Sequence, residues 1–318
     1  LERIADPALF ELEFTSCGTE ADNQAIFSAA RRGNAVASAG EHAAVFESFK
    51  SLKSRGIEPR FAPVKADGSV DADALVELVD DKTTLVAVVH VNNETGAVND
   101  IAAIAKRVKQ KNPRTVFLSD GVQAFGKLPV RLTKDIDFYS VSAHKIGGLK
   151  GTGALIRRKA CTAFAPYIIG GGQENGMRSG TENTFGIACF YHAAEEKFAS
   201  LREDGERLRS YRERLWELLD HDIFMRISPE NGTPYILSVS AKGLRGEILQ
   251  RDLWDNGVAV GTGSACSSKK PFSRVIEACG YDEAALYGVL RMSFSPATTE
   301  EETEKAAQII NACARRRI

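Results

Sequence analysis

The chain has 318 residues, of which 43% are hydrophobic and 26% charged, with a formal net charge of −1. These are ordinary proportions for a soluble globular protein of one or two domains. No basic stripe points to nucleic acid, and no apolar run is long enough to span a bilayer.

The pattern alternates between helix and strand up to about residue 160. Ala21 to Arg32 reads as a helix stopped by Gly33, and Ala35 to Ala39 as a short strand. Ala43 to Arg55 and Asp71 to Asp80 read as helices, Leu85 to Val91 as a buried strand, and Ile101 to Lys111 as a helix with Pro113 behind it. Two further apolar runs follow. One is Thr115 to Ser119, ending at Asp120, and the other is Phe138 to His144, ending at Lys145. This alternation predicts an α/β fold with a mainly parallel sheet covered by helices. Gly151 to Leu155 opens one more strand, and Gly170-Gly171-Gly172 begins a glycine-rich loop. Two charged helical stretches follow, about Glu182 to Ser200 and Gly205 to Asp220.

The remainder reads as a smaller α+β domain. Its strands lie near Ile236 to Ser240 and Leu290 to Phe294, and its helices near Glu247 to Asn256 and Pro271 to Cys279. Thr299 and Glu302 have the spacing of a capping box at the head of a last helix. The expected division is 1–195 for a large domain and 196–318 for a small one.

In parallel sheets ligands sit at the carboxyl ends of strands. His42, Asn93, Asp120 and Lys145 each follow a predicted strand, so one crevice is expected to hold them. A carboxylate and an amine at neighbouring strand ends suit pyridoxal phosphate. The lysine forms a Schiff base with the aldehyde, and the aspartate pairs with the protonated pyridine nitrogen. Taken alone, such a pair is more often an ordinary surface or ion-pair feature. The six cysteines, at 17, 161, 189, 266, 279 and 313, have neither CxxC nor metal-ligand spacing. No metal site or disulfide framework is expected, and a cytoplasmic location is.

Eight stretches then fall in one family order. They begin with Thr15-Ser16-Cys17-Gly18-Thr19-Glu20-Ala21-Asp22-Asn23, Glu41-His42 and His90-Val91-Asn92-Asn93-Glu94-Thr95-Gly96. Asp120-Gly121-Val122-Gln123, Ser142-Ala143-His144-Lys145 and Arg178-Ser179-Gly180-Thr181-Glu182-Asn183 come next, then Gly263-Ser264-Ala265-Cys266-Ser267-Ser268 and Arg291-Met292-Ser293. The chain resembles the cysteine desulfurases of the NifS/IscS type, class V enzymes of pyridoxal-phosphate fold type I. The resemblance runs from about Thr15 to the last helix.

That resemblance implies a role for each matched residue. Gly18 and Thr19 would cradle the cofactor phosphate at a helix N-terminus, with Ser142 and His144 adding donors. Thr181 would reach the phosphate of a neighbouring subunit, which implies a homodimer. His42 would stack on the pyridine and relay protons. Gln123 would donate to the phenolic oxygen, Asn93 would contact that oxygen or the substrate, and Arg291 would clamp the substrate carboxylate. Lys145 would remove the α-proton of L-cysteine. The Cys266 thiolate would then take the γ-sulfur as a persulfide, and alanine would leave. Glycines and small residues around Cys266 predict a flexible, exposed loop. The sulfur acceptor would be an iron–sulfur scaffold protein or a tRNA-thiolation enzyme.

The match has departures. The family's amino-terminal Asn-Ala-Ala-Thr-type motif has no equivalent in residues 1–14, and the chain lacks an initiator methionine, so either a segment is missing before Leu1 or the chain is a shortened relative. The phosphate turn reads Cys17-Gly18, with its glycine shifted by one. Lys150-Gly151-Thr152-Gly153 looks like a nucleotide loop but falls where the family's segment after the lysine lies. Two other readings remain beside the leading one. One is another class V enzyme, a selenocysteine lyase or an aminotransferase, and the other is a non-catalytic relative.

Overall fold

The structure is a computed structural model that describes residues 1–262 and 272–318. Cys266 and its neighbours from 263 to 271 lie outside the described residues. The chain divides into two units. The first comprises Leu1–Pro63, Val70–Val91 and Asn99–Leu201, and the second comprises Val64–Ser69, Asn92–Val98 and Arg202–Ile318.

In the first unit the order is β1 (Phe10–Thr15), α1 (Gly18–Ala29), β2 (Gly33–Ser38), α2 (Ala43–Leu52), β3 (Ile57–Ala62), α3 (Ala72–Glu77) and β4 (Thr83–Ala87). Then come α4 (Ile101–Lys111), β5 (Val116–Asp120), β6 (Phe138–Ser142) and β7 (Gly153–Arg158). Among the described residues these strands form a seven-stranded sheet in the order β1-β7-β6-β5-β4-β2-β3. Only β7 runs against its neighbours, which pair antiparallel to it on both sides. The architecture is therefore α/β and mainly parallel.

Strand parity explains what each face buries. Successive side chains of a strand point to opposite faces. Leu85, Val116, Leu118 and Phe138 pack with Ala21, Ala25 and Ile26 of α1 and with Val45 and Phe49 of α2. Val86, Phe117, Tyr139 and Val141 pack with Ile104, Ala105 and Val108 of α4 on the other face. By the same parity Asp120, Ser140 and Ser142 lie on the α1 side. Asp100 caps α4 through a 3.0 Å bond from the Ala103 N–H, which satisfies one of the helix's orphan donors.

Helix α5 runs unbroken over Thr184–Leu218, where the sequence suggests two helices, and the boundary between the units falls within it. Gly205 is the residue that suggests the break, but a Cβ there would meet nothing within 4 Å. The second unit continues with β8 (Phe224–Arg226), β9 (Ile236–Ala241), α6 (Gly246–Asp255), α7 (Arg274–Ala278), α8 (Glu283–Tyr287), β10 (Val289–Ser293) and α9 (Glu300–Arg315). Its sheet order is β10-β9-β8, all antiparallel. The capping box forms as expected. Thr299 N–H donates to Glu302 Oε2 at 3.0 Å, and Glu302 N–H donates to Thr299 Oγ1 at 3.1 Å. Among the described residues no helix is long and apolar enough to cross a membrane.

Candidate active site

The first unit brings three of the expected residues under one electrostatic influence. Asp120 is the last residue of β5 and is 4% exposed. Its carboxylate accepts the Val122 N–H at 2.9 Å. Burial pushes the Asp120 carboxyl above its usual range, and His42, that amide bond and Lys145 pull in the opposite direction. Lys145 lies in a 3-10 turn, Ala143–Ile146, that follows β6 directly, and its side chain is exposed. The two strand ends are adjacent because β5 pairs with β6, with Asp120 opposite Ser140.

His42 is the N-cap of α2. Its Nδ1 accepts the Ala44 N–H at 3.2 Å. That bond assigns the proton of the neutral ring to Nε2. An imidazole thus replaces the usual short polar cap, and its tautomer is set by the helix end.

At the head of α1, where the phosphate cradle is expected, the packing is close. A Cβ on Gly18 would lie 2.7 Å from Val122 Cγ2, and next nearest would be Ser142 Cβ at 3.7 Å. Thr19 is exposed at the second residue of the helix. Ser142 Oγ and His144 Nδ1 are 2.9 Å apart. Desolvation and then Lys145, Lys150 and Lys127 hold the His144 imidazole below its usual pKa, so the ground around it is cationic. Gln123 Oε1 accepts from Lys127 Nζ at 2.7 Å, which orients its amide.

Thr181 is exposed and lines a cavity of about 120 Å³ with Thr15, Ser16, Thr152 and Arg178. Arg178 forks onto Glu20 of α1, with Nε to Oε1 at 2.8 Å and Nη2 to Oε2 at 3.2 Å. Ser16 N–H also donates to Glu20 Oε2, at 2.9 Å. Burial raises the Glu20 carboxyl, but the bonds from Arg178 and Ser16 outweigh it and hold the group below its usual range.

Asn93 and Arg291 belong to the second unit. Arg291 Nη1 donates to the Asn93 main-chain oxygen at 2.9 Å. Arg291 is pinned by main-chain bonds in both directions with Gly261, at 2.7 and 2.9 Å. Among the described residues, Arg291 Nε and Asn93 Oδ1 are buried with no hydrogen-bond partner. Buried polar groups are nearly always paired, so these two atoms stand out as open to a polar partner.

Two buried acids are absent from the sequence-derived roles. Asp22 on α1 is 1% exposed and accepts from Ser140 Oγ at 2.6 Å. Glu41 is fully buried and accepts from Ser38 Oγ at 2.6 Å and from Val89 N–H at 2.8 Å. Both fall inside the matched stretches, and that adjacency was the available signal.

The Aminotransferase class-V family profile matches residues 8–305. The cysteine desulfurase IscS of Photorhabdus laumondii subsp. laumondii is 39% identical over 96% of this chain and 77% of its own length. A solved NifS-like protein superposes with a TM-score of 0.89 at 34% identity, covering 95% of this chain and 82% of that one. A NifS-like protein from Rickettsia africae gives 0.86 at 28% identity, covering 96% and 82%.

This family depends on pyridoxal phosphate, and the residues present fit that group. A buried carboxylate suits a protonated ring nitrogen, an exposed lysine suits an aldehyde, and a helix N-terminus together with an imidazole influenced by three lysines suits a phosphate. The chain belongs to the class-V aminotransferase family and, within it, to the cysteine desulfurases of the NifS/IscS type.

Proposed function

We propose that this chain converts L-cysteine to L-alanine and passes the sulfur to Cys266 as a persulfide. The observation that carries the reading is the buried Asp120 carboxylate at the end of β5, under the joint influence of His42 and Lys145. Bound pyridoxal phosphate supplies an aldehyde for an amine and a ring that accepts a carbanion's electrons.

The chain's own groups do the rest. Asp120 would hold the proton of the ring nitrogen in place. The exposed Lys145 would hold the aldehyde and would serve as the base for the substrate's α-proton. His42 would lie against the cofactor and would move a proton through Nε2, because Nδ1 is occupied by the Ala44 amide. Gly18, Thr19, Ser142 and His144 would hold the phosphate, and Gln123 would hold the phenolic oxygen. Arg291 takes the substrate carboxylate, which would satisfy its buried Nε, and Asn93 contacts the substrate or the phenolic oxygen. Cys266 attacks the substrate sulfur as a thiolate, and it lies outside the described residues.

A homodimer accompanies this reading. Tyr167, Ile168, Ile169, Phe185 and Tyr191 are large exposed apolar side chains flanking Thr181. A second copy would cover them and receive Thr181 at its phosphate. The chain acts in the cytoplasm, and the sulfur goes on to an iron–sulfur scaffold protein or a tRNA-thiolation enzyme. The absorption spectrum of the protein with pyridoxal phosphate tests the cofactor assignment. Lys145→Ala should lose the visible band of the lysine-bound cofactor, and an unchanged band would remove Lys145 from its role.

A further inference from the structure

Asp22 has no part in the scheme above, yet its carboxyl is among the most enclosed polar groups of the first unit. It sits on α1, one turn beyond Gly18 and Thr19, and is 1% exposed. Ser140 Oγ donates to Asp22 Oδ1 at 2.6 Å. Ser140 is the ladder partner of Asp120, and the Gly121 N–H donates to the Ser140 main-chain oxygen at 3.0 Å. Asp22, Ser140 and Asp120 therefore share the sheet face that packs on α1.

Two carboxyl groups in one dry interior do not both ionise readily, because each charge is desolvated and repels the other. Their surroundings differ in a way that separates them. Asp120 receives a main-chain N–H and lies near the Lys145 ammonium and the His42 ring. Asp22 receives one hydroxyl, and the titratable groups around it are Asp120, Glu41 and Cys17, all of which carry negative charge when ionised. Tyr139, the strand neighbour on the opposite face, is likewise an acid when it ionises, and the Asp120 carboxylate opposes that ionisation. Burial and these neighbours raise the Asp22 carboxyl well above its usual range.

We propose that Asp22 keeps its proton in the native protein and thereby confines the single negative charge of the buried pair to Asp120. Oδ1 then acts as the carbonyl oxygen that accepts from Ser140, and Oδ2 carries the proton. Asp22 is a positioning residue, acting on the cofactor through Asp120 alone. This rests on the reading of Asp120 as the partner of the ring nitrogen.

The test uses the cofactor-free protein. Urea denaturation is followed from pH 5 to 8 for the parent, Asp22→Asn and Asp22→Ala. The parent must release the Asp22 proton on unfolding, so its stability falls as pH rises toward the native ionisation point. Neither variant has that proton. The ratio of unfolding constants, parent over Asp22→Asn, should rise by up to about tenfold per pH unit. Asp22→Ala should show the same change of slope plus a constant offset from the lost hydrogen bond. A ratio that stays flat with pH would overturn the proposal, and an offset without a slope would mark a merely structural role.

Infrared spectra at pH 7 of the parent and of Asp120→Asn give a second reading. A protonated-carboxyl band that persists in Asp120→Asn is expected, and its absence from the parent would also overturn the assignment. Both measurements omit the cofactor. Failure of Asp120 to hold the ring nitrogen would appear separately, as an unchanged cofactor spectrum in Asp120→Asn.

Discussion

Arg291 donates from Nη1 to the main-chain oxygen of Asn93 at 2.9 Å, while its Nε stays buried and unpartnered among the described residues. One arm of the guanidinium is thus committed to holding its position, and Nε has no hydrogen-bond partner among the described residues. A lysine cannot reproduce this, because it presents a point charge instead of a planar fork. Arg291→Lys should raise KM for the amino-acid substrate about 30- to 100-fold, the equivalent of roughly 2–3 kcal/mol of charge-assisted hydrogen bonding. The effect on kcat should be smaller, and steady-state kinetics would separate the two.

His90 and Tyr139 predict an acid-side loss of stability. Nδ1 of His90 lies 2.9 Å from the Tyr139 hydroxyl, and burial lowers the His90 pKa from 6.5 to about 4. The unfolded chain binds a proton at His90 below pH 6.5, and the native chain does not until about pH 4. Stability therefore falls as pH drops through that window, by roughly 3 kcal/mol in all. His90→Asn should lose this component while paying a constant penalty for the altered contact. Denaturation curves at pH 4.5 and 7 would show the difference between parent and variant shrinking at low pH.

Glu13 acts in the opposite direction. Burial raises its pKa to about 6 despite the Arg157 ion pair. The native state then holds a proton that the unfolded state releases between about pH 4.5 and 6, so this group's contribution declines as pH rises through that range. Glu13→Gln should become relatively more stable than the parent as pH increases from 4.5 to 7, as urea midpoints would reveal.

The helix-side elements that position the site were largely legible in the sequence. Helix α4 begins and ends where the pattern places it, because Asp100 caps it and Pro113 follows it. Asp120 closes its strand as expected, because a solid apolar run ends there. Strand β3 was not legible, since Pro59 sits in it. Proline is tolerated there because β3 is an edge of the sheet. The single helix α5 was hidden by Gly205, which punctuates the pattern but stands in open space. The buried acids Asp22 and Glu41 were visible as letters only. Their enclosure depends on packing of α1 and the β2–α2 turn that no local spacing encodes.

Gly121 permits the closest approach in the site. A Cβ there would lie 2.0 Å from Tyr139 Cζ, against a ring that is itself fully buried. Gly121→Ala should destabilise the protein by about 3 kcal/mol or more, since overpacking a closed site forces backbone movement. Gly18→Ala meets only the end of the Val122 side chain, at 2.7 Å, and should be milder. Thermal denaturation of the two variants would rank them.

Arg178 should tie the segment carrying Thr181 to the head of α1. Removing its forked bond to Glu20 leaves a partly buried carboxylate held by Ser16. Arg178→Ala should lose about 1–3 kcal/mol and weaken cofactor binding, and Arg178→Lys should restore little of either. Equilibrium titration with pyridoxal phosphate alongside urea denaturation would measure both effects.

The central claim is sulfur removal from cysteine through Cys266, and its most direct measurement is of both products together. The protein is incubated with pyridoxal phosphate, L-cysteine and a reductant, and alanine and sulfide are quantified for the parent and Cys266→Ala. Equal alanine and sulfide from the parent, with neither from a variant that still binds the cofactor, is the predicted result. Normal alanine and sulfide production by Cys266→Ala would contradict it.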